Sequence, residues 1–551
     1  MPTLRIANGR IFDPARGRRG DVADLCIRDG RVVDSLPGDA PVLDAADLVV
    51  FPGGVDIHSH IAGPKVNIGR AMQPEDHRHD PVPRTLVRRS GAGGTVPSVF
   101  ATGYRYAEMG YTTVFEAAVP PLGARHAHEE LNDTPMIDKG IYVLMGSNEF
   151  VLKYLRDGRL DKIRDYVAWL LRATRGYAVK LVNPGGVENW KYGKNVSKLD
   201  DLVNDFDVTP RQILTALAAV NEELKLPHTI HLHCNNLGVP GNYALTLDTM
   251  RALEKQRVHL THIQFHSYGG KSWGGFSTKA AEIAEYVNAH PNVTIDVGQV
   301  IFGNATTMTA DGPWEYRLQG LAHRKWFNAD VELESGCGVV PYVYKEQNYV
   351  NAMQWAIGLE LFLMVRDPWR IYLTTDHPNG GSFIFYPHII RLLMDRRFRA
   401  ECLKRVHPRV LKETTLQHLE REYTLEEIAI VTRAGPARAL GLERKGHLGP
   451  GADADVAIYK EDTDREAMFE QPVYVIKNGE IVLRDGEIVQ HVFGRTLFVD
   501  PPEPIEIQKE LRDDFEKYYS VQFDNYCLPV EHLRAYTAVP TGLDAAARKS
   551  T

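Results

Sequence analysis

Eight short apolar runs recur between residues 48 and 376, and most of the stretches between them carry helical rather than strand periodicity. The runs are LVVFPGGVDIHSH (48–60), TTVFEA (112–117), IYVLMG (141–146), YAVKLV (177–182), HTIHLHC (228–234), RVHLTHI (257–263), NVTIDV (292–297) and RIYLTTD (370–376). LRDGRLDKIRDYVAWLLRAT and TPRQILTALAAVNEELKL are two of the amphipathic connections. Apolar runs alternating with amphipathic helices are the pattern of βα units on a parallel sheet. Eight of them predict an α/β fold closed into a (β/α)8 TIM-type barrel.

The flanks have a different texture. RIANGRIF and LCIRDGRVVD near the start are short strands around Asn-Gly and Asp-Gly turns, and GHLGPGADADVAIY, VYVIKNGEIV and GEIVQHVFGRTLFV repeat that character between about 435 and 500. Together they predict a small β-sandwich built from both chain ends. The expected organisation is half of the sandwich at 1–50, the barrel at 51–430, the other half at 431–500, and an arm at 501–551 that contacts another protein of a complex. Two long excursions, 61–100 and 298–369, interrupt the rhythm. A chain of 551 residues has room for both modules.

Composition removes several classes of function. The net charge of -7 argues against a nucleic-acid protein, which carries a basic face. No run approaches the roughly 18–20 apolar residues of a membrane span. The start, MPTLRIANGRIFDPARG, lacks a charged-then-apolar signal pattern, so the expected location is the cytoplasm. The five cysteines are scattered with no CxxC pair, which excludes a disulfide framework and a cysteine-type metal site. Metal-binding capacity rests instead on 21 histidines and the carboxylates.

In GVDIHSH, His58 and His60 stand at i and i+2 of a strand and share one face, at the C-terminal end where barrel enzymes keep their active sites. Two neutral imidazoles there make half of a transition-metal site. The same spacing recurs at His77/His79, in a polar loop, and at His126/His128, at a helix start where i and i+2 diverge by about 200°. Neither pair is expected to ligate.

Lys180 lies in the apolar run YAVKLV, before a Gly turn. A lysine directed into a barrel forms a salt bridge, reaches for solvent, or is desolvated and neutral. A neutral amine can take up CO2 as a carbamate, a carboxylate-like bridge between two metals. HTIHLHC offers His231 and His233, and the next run offers His259, His262 and His266. We take His233 and His262, which stand at strand exits, with His231 and His266 in reserve. Asp376 ends the eighth run; alone it would be a turn former, but facing four histidines it is a candidate ligand and general base.

This arrangement resembles the binuclear-metal amidohydrolase superfamily. The segments GVDIHSHIAGPKVNIGR, TGYRYAEMGYTTVFEAAVPPL, ARHAHEELND and HLHCNNLGVPGNY are similar to the A subunits of formylmethanofuran dehydrogenases and formyltransferase/hydrolase complexes. The resemblance implies two zinc ions bridged by carboxylated Lys180, with His58, His60, His233, His262 and Asp376 as the other ligands. It implies hydrolysis of N-formylmethanofuran to formate and methanofuran, or the reverse condensation, in a complex with other subunits. The substrate-binding candidates are Asn183 and, in the loop 65–89 that follows the two histidines and is expected to cover the barrel mouth with six cations against three carboxylates, Arg88 and Arg89; the alternative for that basic strip is docking of another subunit. The competing readings are a cyclic-amide hydrolase of the dihydropyrimidinase type and a metal-free assembly protein.

Overall fold

The computed structural model describes residues 3–542. The apolar runs form eight parallel strands: β1 (Gly54–Ser59), β2 (Tyr111–Val119), β3 (Asp138–Leu144), β4 (Ala178–Val182), β5 (Ile230–His233), β6 (Val258–Leu260), β7 (Val293–Asp296) and β8 (Ile371–Tyr372). They pair in chain order, and a parallel bridge between Ser59 and His377 brings the last back to the first. The expected barrel is therefore present.

Crossover helices cover the outside. The helix Pro210–Glu223 starts on a capping box: Thr209 accepts from the Gln212 N–H, the Gln212 side chain reaches back, and Pro210 occupies the first turn. Such a cap contributes about 1 kcal/mol. Its apolar side, including Ile213, Leu214 and Leu217, is fully buried. Each such side chain contributes roughly 1.5–3 kcal/mol.

Strands from both chain ends share one nine-stranded sheet. Its seam is the antiparallel pairing of Leu48–Pro52 with Val456–Lys460. The first predicted run is thus two strands of different sheets, divided at Gly53. A Cβ on Gly53 would lie 2.2 Å from Thr112 Oγ1, and one on Gly54 2.5 Å from the Tyr111 ring, so only glycines let the chain cross here against β2. Behind the seam, Lys445 and Lys477 both reach Asp138 and Asp455, all four buried, which joins the flanking sheet to the foot of β3.

The excursion before β8 builds a roof. It holds an antiparallel sheet of Gly303–Thr309, Phe327–Val331 and Glu334–Tyr344, with the helix Gly312–Ala322 packed on it. After the flanking sheet the chain returns to the barrel: Thr496–Val499 joins β3 at Lys139, and Tyr536–Val539 lies beside it. The helix Ile505–Tyr518 packs on Leu160–Ala173, with Glu510 paired to Lys162 at 2.7 Å. Among the described residues, no helix is long and apolar enough to cross a membrane.

Candidate metal centre

His58, His60, Lys180, His233, His262 and Asp376 all line one cavity at the C-terminal ends of the barrel strands. On β1 the i, i+2 spacing sends both imidazoles inward. His58 Nε2 lies 2.8 Å and His60 Nε2 3.4 Å from Asp376 Oδ1. The geometry between His58 and Asp376 is not that of a hydrogen bond, and with His60 the two form a group that could hold a metal ion. Burial, then Lys180, pushes His58 down to about 4, which keeps it neutral. Asp376, with backbone φ of 50°, is held well below the usual carboxylate range, because His262 and His58 outweigh the cost of burial. Asn379 Nδ2 donates to Asp376 Oδ1 at 3.0 Å.

Lys180 is 1% exposed, and its Nζ has no hydrogen-bond partner among the described residues. Burial pushes its amine down to about 7, against the pull of Asp376 and Asp296. Of the alternatives for this side chain, solvent is out of reach, and no carboxylate among the described residues forms a salt bridge with it.

His233 Nε2 lies 3.2 Å from Asp311 Oδ2. His262 ends β6 in a left-handed conformation, and its backbone N–H donates to Asp296 Oδ1 at 2.7 Å. Gly298 makes space for it, since a Cβ there would stand 2.4 Å from His262 Cβ. The His262 and His233 rings are 4.7 Å apart, and His262 Nδ1 is buried without a partner among the described residues. The reserve histidines separate. His266 is buried against the rings of His233 and His262, each 5.3 Å away, with neither ring nitrogen partnered among the described residues. His231 is engaged at both nitrogens: its Nε2 meets His58 Nδ1 at 2.7 Å, and its Nδ1 meets His228 Nε2 at 3.0 Å.

The three substrate-binding candidates lie outside the cavity lining. Asn183 donates to Asp311 Oδ1 at 2.9 Å and accepts from Asn235 at 2.8 Å, so it braces the roof. Arg88 pairs with Glu108 at 3.0 Å, and Arg89 lies over the Phe100 ring at 4.2 Å. The loop after β1 doubles back in the short hairpin Pro81–Val82/Gly91–Ala92, where Val82 and Val87 pack with Tyr104, Leu483 and Ile488. That apolar anchorage carries both arginines to the flanking sheet rather than over the mouth.

Sequence reasoning misses several residues of the site. Glu116 accepts from the backbone N–H groups of Ile61 and Ala62 and lies 3.1 Å from His60 Nδ1. Burial raises its carboxyl, but Lys65 and His60 overcome this and hold it at about 2. Asp296 receives His259 Nε2 at 3.0 Å besides the His262 amide. The signal for both is a carboxylate inside an apolar run, in TTVFEA and NVTIDV. Asp311 caps the roof helix through the Trp314 N–H, and DGPW reads as a helix start.

The roof and neighbouring loops give the cavity aromatic walls, among them Phe265, Trp273, Trp314, Tyr342 and Tyr344. Orphaned buried nitrogens on His58, His262 and Lys180, beside an ionised Asp376, form the donor set of a borderline divalent cation. The residues fit a metal.

The barrel, the flanking sheet and these candidate ligands accord with an amidohydrolase: the chain belongs to the amidohydrolase family, whose model matches residues 41–483. It is 49% identical to Protein FwdA of Methanocaldococcus jannaschii over 97% of this chain and 98% of that one. It is 40% identical to the A component of the formyltransferase/hydrolase complex Fhc of Methylorubrum extorquens, over 95% of this chain and 96% of the other. The crystal structure of that FhcABCD complex with methylofuran contains a chain that matches with a TM-score of 0.91 at 39% identity, covering 98% of this chain and all of that one. D-aminoacylase, at a TM-score of 0.51 and 12% identity, shares the fold alone.

Proposed function

We propose that the chain is the hydrolase subunit of a formyltransferase/hydrolase or formylmethanofuran dehydrogenase complex, and cleaves N-formylmethanofuran to formate and methanofuran or runs the reverse condensation. The observation that carries this reading is the convergence of six candidate ligands on the floor of one aromatic-walled cavity, in a chain similar over nearly its whole length to the A component of Fhc. His58, His60 and Asp376 would hold one zinc ion, and His233 with His262 a second. Lys180, as its carbamate, would bridge them.

The uncharged fraction of Lys180 supports the carbamate. Its Nζ lone pair forms a bond to the carbon of CO2, and one proton leaves the nitrogen. Bound zinc would make water more acidic and polarise the formyl carbonyl. The chain's own residues supply the rest. Asp376, ionised and with Oδ1 accepting a hydrogen bond from Asn379, accepts a proton from the attacking water on its other oxygen. It then delivers that proton to the amine nitrogen, which departs only when protonated. Glu116 fixes the His60 ring by hydrogen bonding its Nδ1. The aromatic walls exclude water and offer flat faces to the furan-bearing arm of the substrate.

The test is elemental analysis of the purified protein together with formate release from N-formylmethanofuran, hydantoin and dihydrouracil. About two zinc ions per chain and turnover of the formamide alone are expected. Turnover of the cyclic amides instead, or full activity in metal-free protein, would overturn the reading.

A further inference from the structure

Below the cavity floor, three buried imidazoles run in a line toward the foot of the barrel. His58 Nδ1 lies 2.7 Å from His231 Nε2, His231 Nδ1 lies 3.0 Å from His228 Nε2, and His228 Nδ1 lies 2.7 Å from the carbonyl oxygen of Ala439. All three rings are at most 1% exposed. Among the described residues no carboxylate lies within hydrogen-bonding distance of His228 or His231, Asp296 Oδ2 standing 3.9 Å from His231 Nε2, so neither ring holds a second proton.

A neutral imidazole has one donor and one acceptor nitrogen. The Ala439 carbonyl can only accept, so His228 must carry its proton on Nδ1. Its Nε2 is then an acceptor and takes a hydrogen bond from His231 Nδ1–H. His231 Nε2 is in turn an acceptor, and the bond it receives comes from His58 Nδ1–H. The hydroxyl oxygen of Thr261 touches the same His58 Nδ1 and shares that proton. What remains on His58 is an unprotonated Nε2, the atom 2.8 Å from Asp376.

The same short distances assign the second cluster of metal-type side chains, His58, His231 and Asp296. The 2.7 Å between His58 Nδ1 and His231 Nε2 is a hydrogen bond.

We propose that the Ala439 carbonyl, acting through His228 and His231, sets the tautomer of His58 and thereby presents its Nε2 lone pair to the metal. His228 and His231 are positioning residues in this scheme, which rests on the reading of His58 as a ligand. The ligand at the top of β1 is thus oriented from a carbonyl at the end of the helix Gly435–Ala439. Removing such an outer partner typically costs about 10–100-fold in metal affinity.

The experiment is nitrogen-15 NMR of histidine-labelled, metal-free full-length protein, with zinc affinity measured in parallel. His58, His231 and His228 should each show a protonated Nδ1 and a bare Nε2. His228→Phe should mix the tautomers of His231 and His58 and weaken zinc binding by about 10–100-fold. His228→Gln keeps a donor toward Ala439 and an acceptor toward His231, and should recover most of the loss. A protonated Nε2 on any of the three in the wild type would overturn the proposal. So would a folded His228→Phe protein with unchanged tautomers and affinity, or His228→Gln behaving no better than His228→Phe. If His228→Phe fails to fold, the wild-type spectrum and His228→Gln still decide. Wild-type protein that binds no zinc while showing the three stated tautomers would overturn the metal reading and leave the relay standing.

Discussion

Asp311 Oδ2 lies 3.2 Å from His233 Nε2, and the same carboxylate caps the helix Gly312–Ala322 that roofs the cavity. The roof is therefore fastened to a candidate ligand by one side chain. Asp311→Ala removes cap and fastening together. A roughly five-fold rise in KM is expected, equivalent to the about 1 kcal/mol of a lost helix cap, with Trp314 emission shifting toward that of a wetter indole. Kinetics and fluorescence both unchanged would mean that the contact holds nothing.

Lys180→Ala should lose metal and activity, and a short carboxylic acid added with zinc should restore part of both. In the wild type the amine reacts with CO2 only when neutral. With its pKa pushed down to about 7, metal loading in bicarbonate should rise through neutrality and fall steeply below it. Lys180→Met should also stabilise the metal-free protein, by on the order of 1–4 kcal/mol, as apolar replacements of buried charged groups do. The sign follows from a folded pKa below the unfolded one: the unfolded chain binds the extra proton, so the gain is full below pH 7 and fades toward about 10.5. Chemical denaturation at several pH values checks this, and a destabilised Met variant would contradict it.

Asp376→Asn retains an oxygen for the metal but cannot carry a proton. Activity should fall by about 10²–10⁴ while much of the metal stays bound. Turnover within a few-fold of wild type would reduce Asp376 to a ligand.

Arg88→Ala/Arg89→Ala should leave KM within about two-fold, since their contacts are with Glu108 and Phe100 rather than the cavity. Ion pairs near the surface contribute only about 0–1 kcal/mol, so stability should change little as well. A marked rise in KM for the full substrate, with normal KM for a formyl-furfurylamine fragment, would return these arginines to substrate binding.

The buried cluster of Asp138, Asp455, Lys445 and Lys477 gives the fold an acid limit. Burial raises both carboxyls, but the two lysines overcome it and hold Asp138 well below, and Asp455 below, the ordinary range. Folded pKa values below the unfolded ones contribute stability above about pH 4 that is lost as pH falls further. Asp138→Asn leaves a lysine charge uncompensated and should cost about 3–5 kcal/mol. Urea melts at pH 7 and at about pH 2–3 would read both effects.

The barrel is legible in the sequence because its strands are apolar runs of nearly constant texture, separated by helices whose caps, such as Thr209, are spelled out. His58 and His60 are legible from strand geometry alone, and Lys180 and Asp376 from standing polar in apolar runs. What stays hidden depends on partners distant along the chain. His231 and His233 share one face of β5, and the strand exit only ranks them; what separates them is His58, 173 residues away, which takes the first into a hydrogen bond. Arg88 and Arg89 read as a basic strip over the mouth because charge shows in the sequence, whereas the packing of Val82 and Val87 against Leu483 and Ile488 does not. The end of the first strand at Pro52 depends on Thr112 and Tyr111, the neighbours that only glycines tolerate.

The pairing of Leu48–Pro52 with Val456–Lys460 also sets an order of events during synthesis. His58 and His60 follow directly on a strand whose partner leaves the ribosome only near the end of translation. Until then the strand that leads into β1 has no seam to hold it. A nascent chain therefore carries its first two imidazoles for most of its elongation without the frame that aligns them. A prematurely terminated product lacking Val456–Lys460 would contain every candidate ligand and still lack the strand that pairs with Leu48–Pro52 ahead of them.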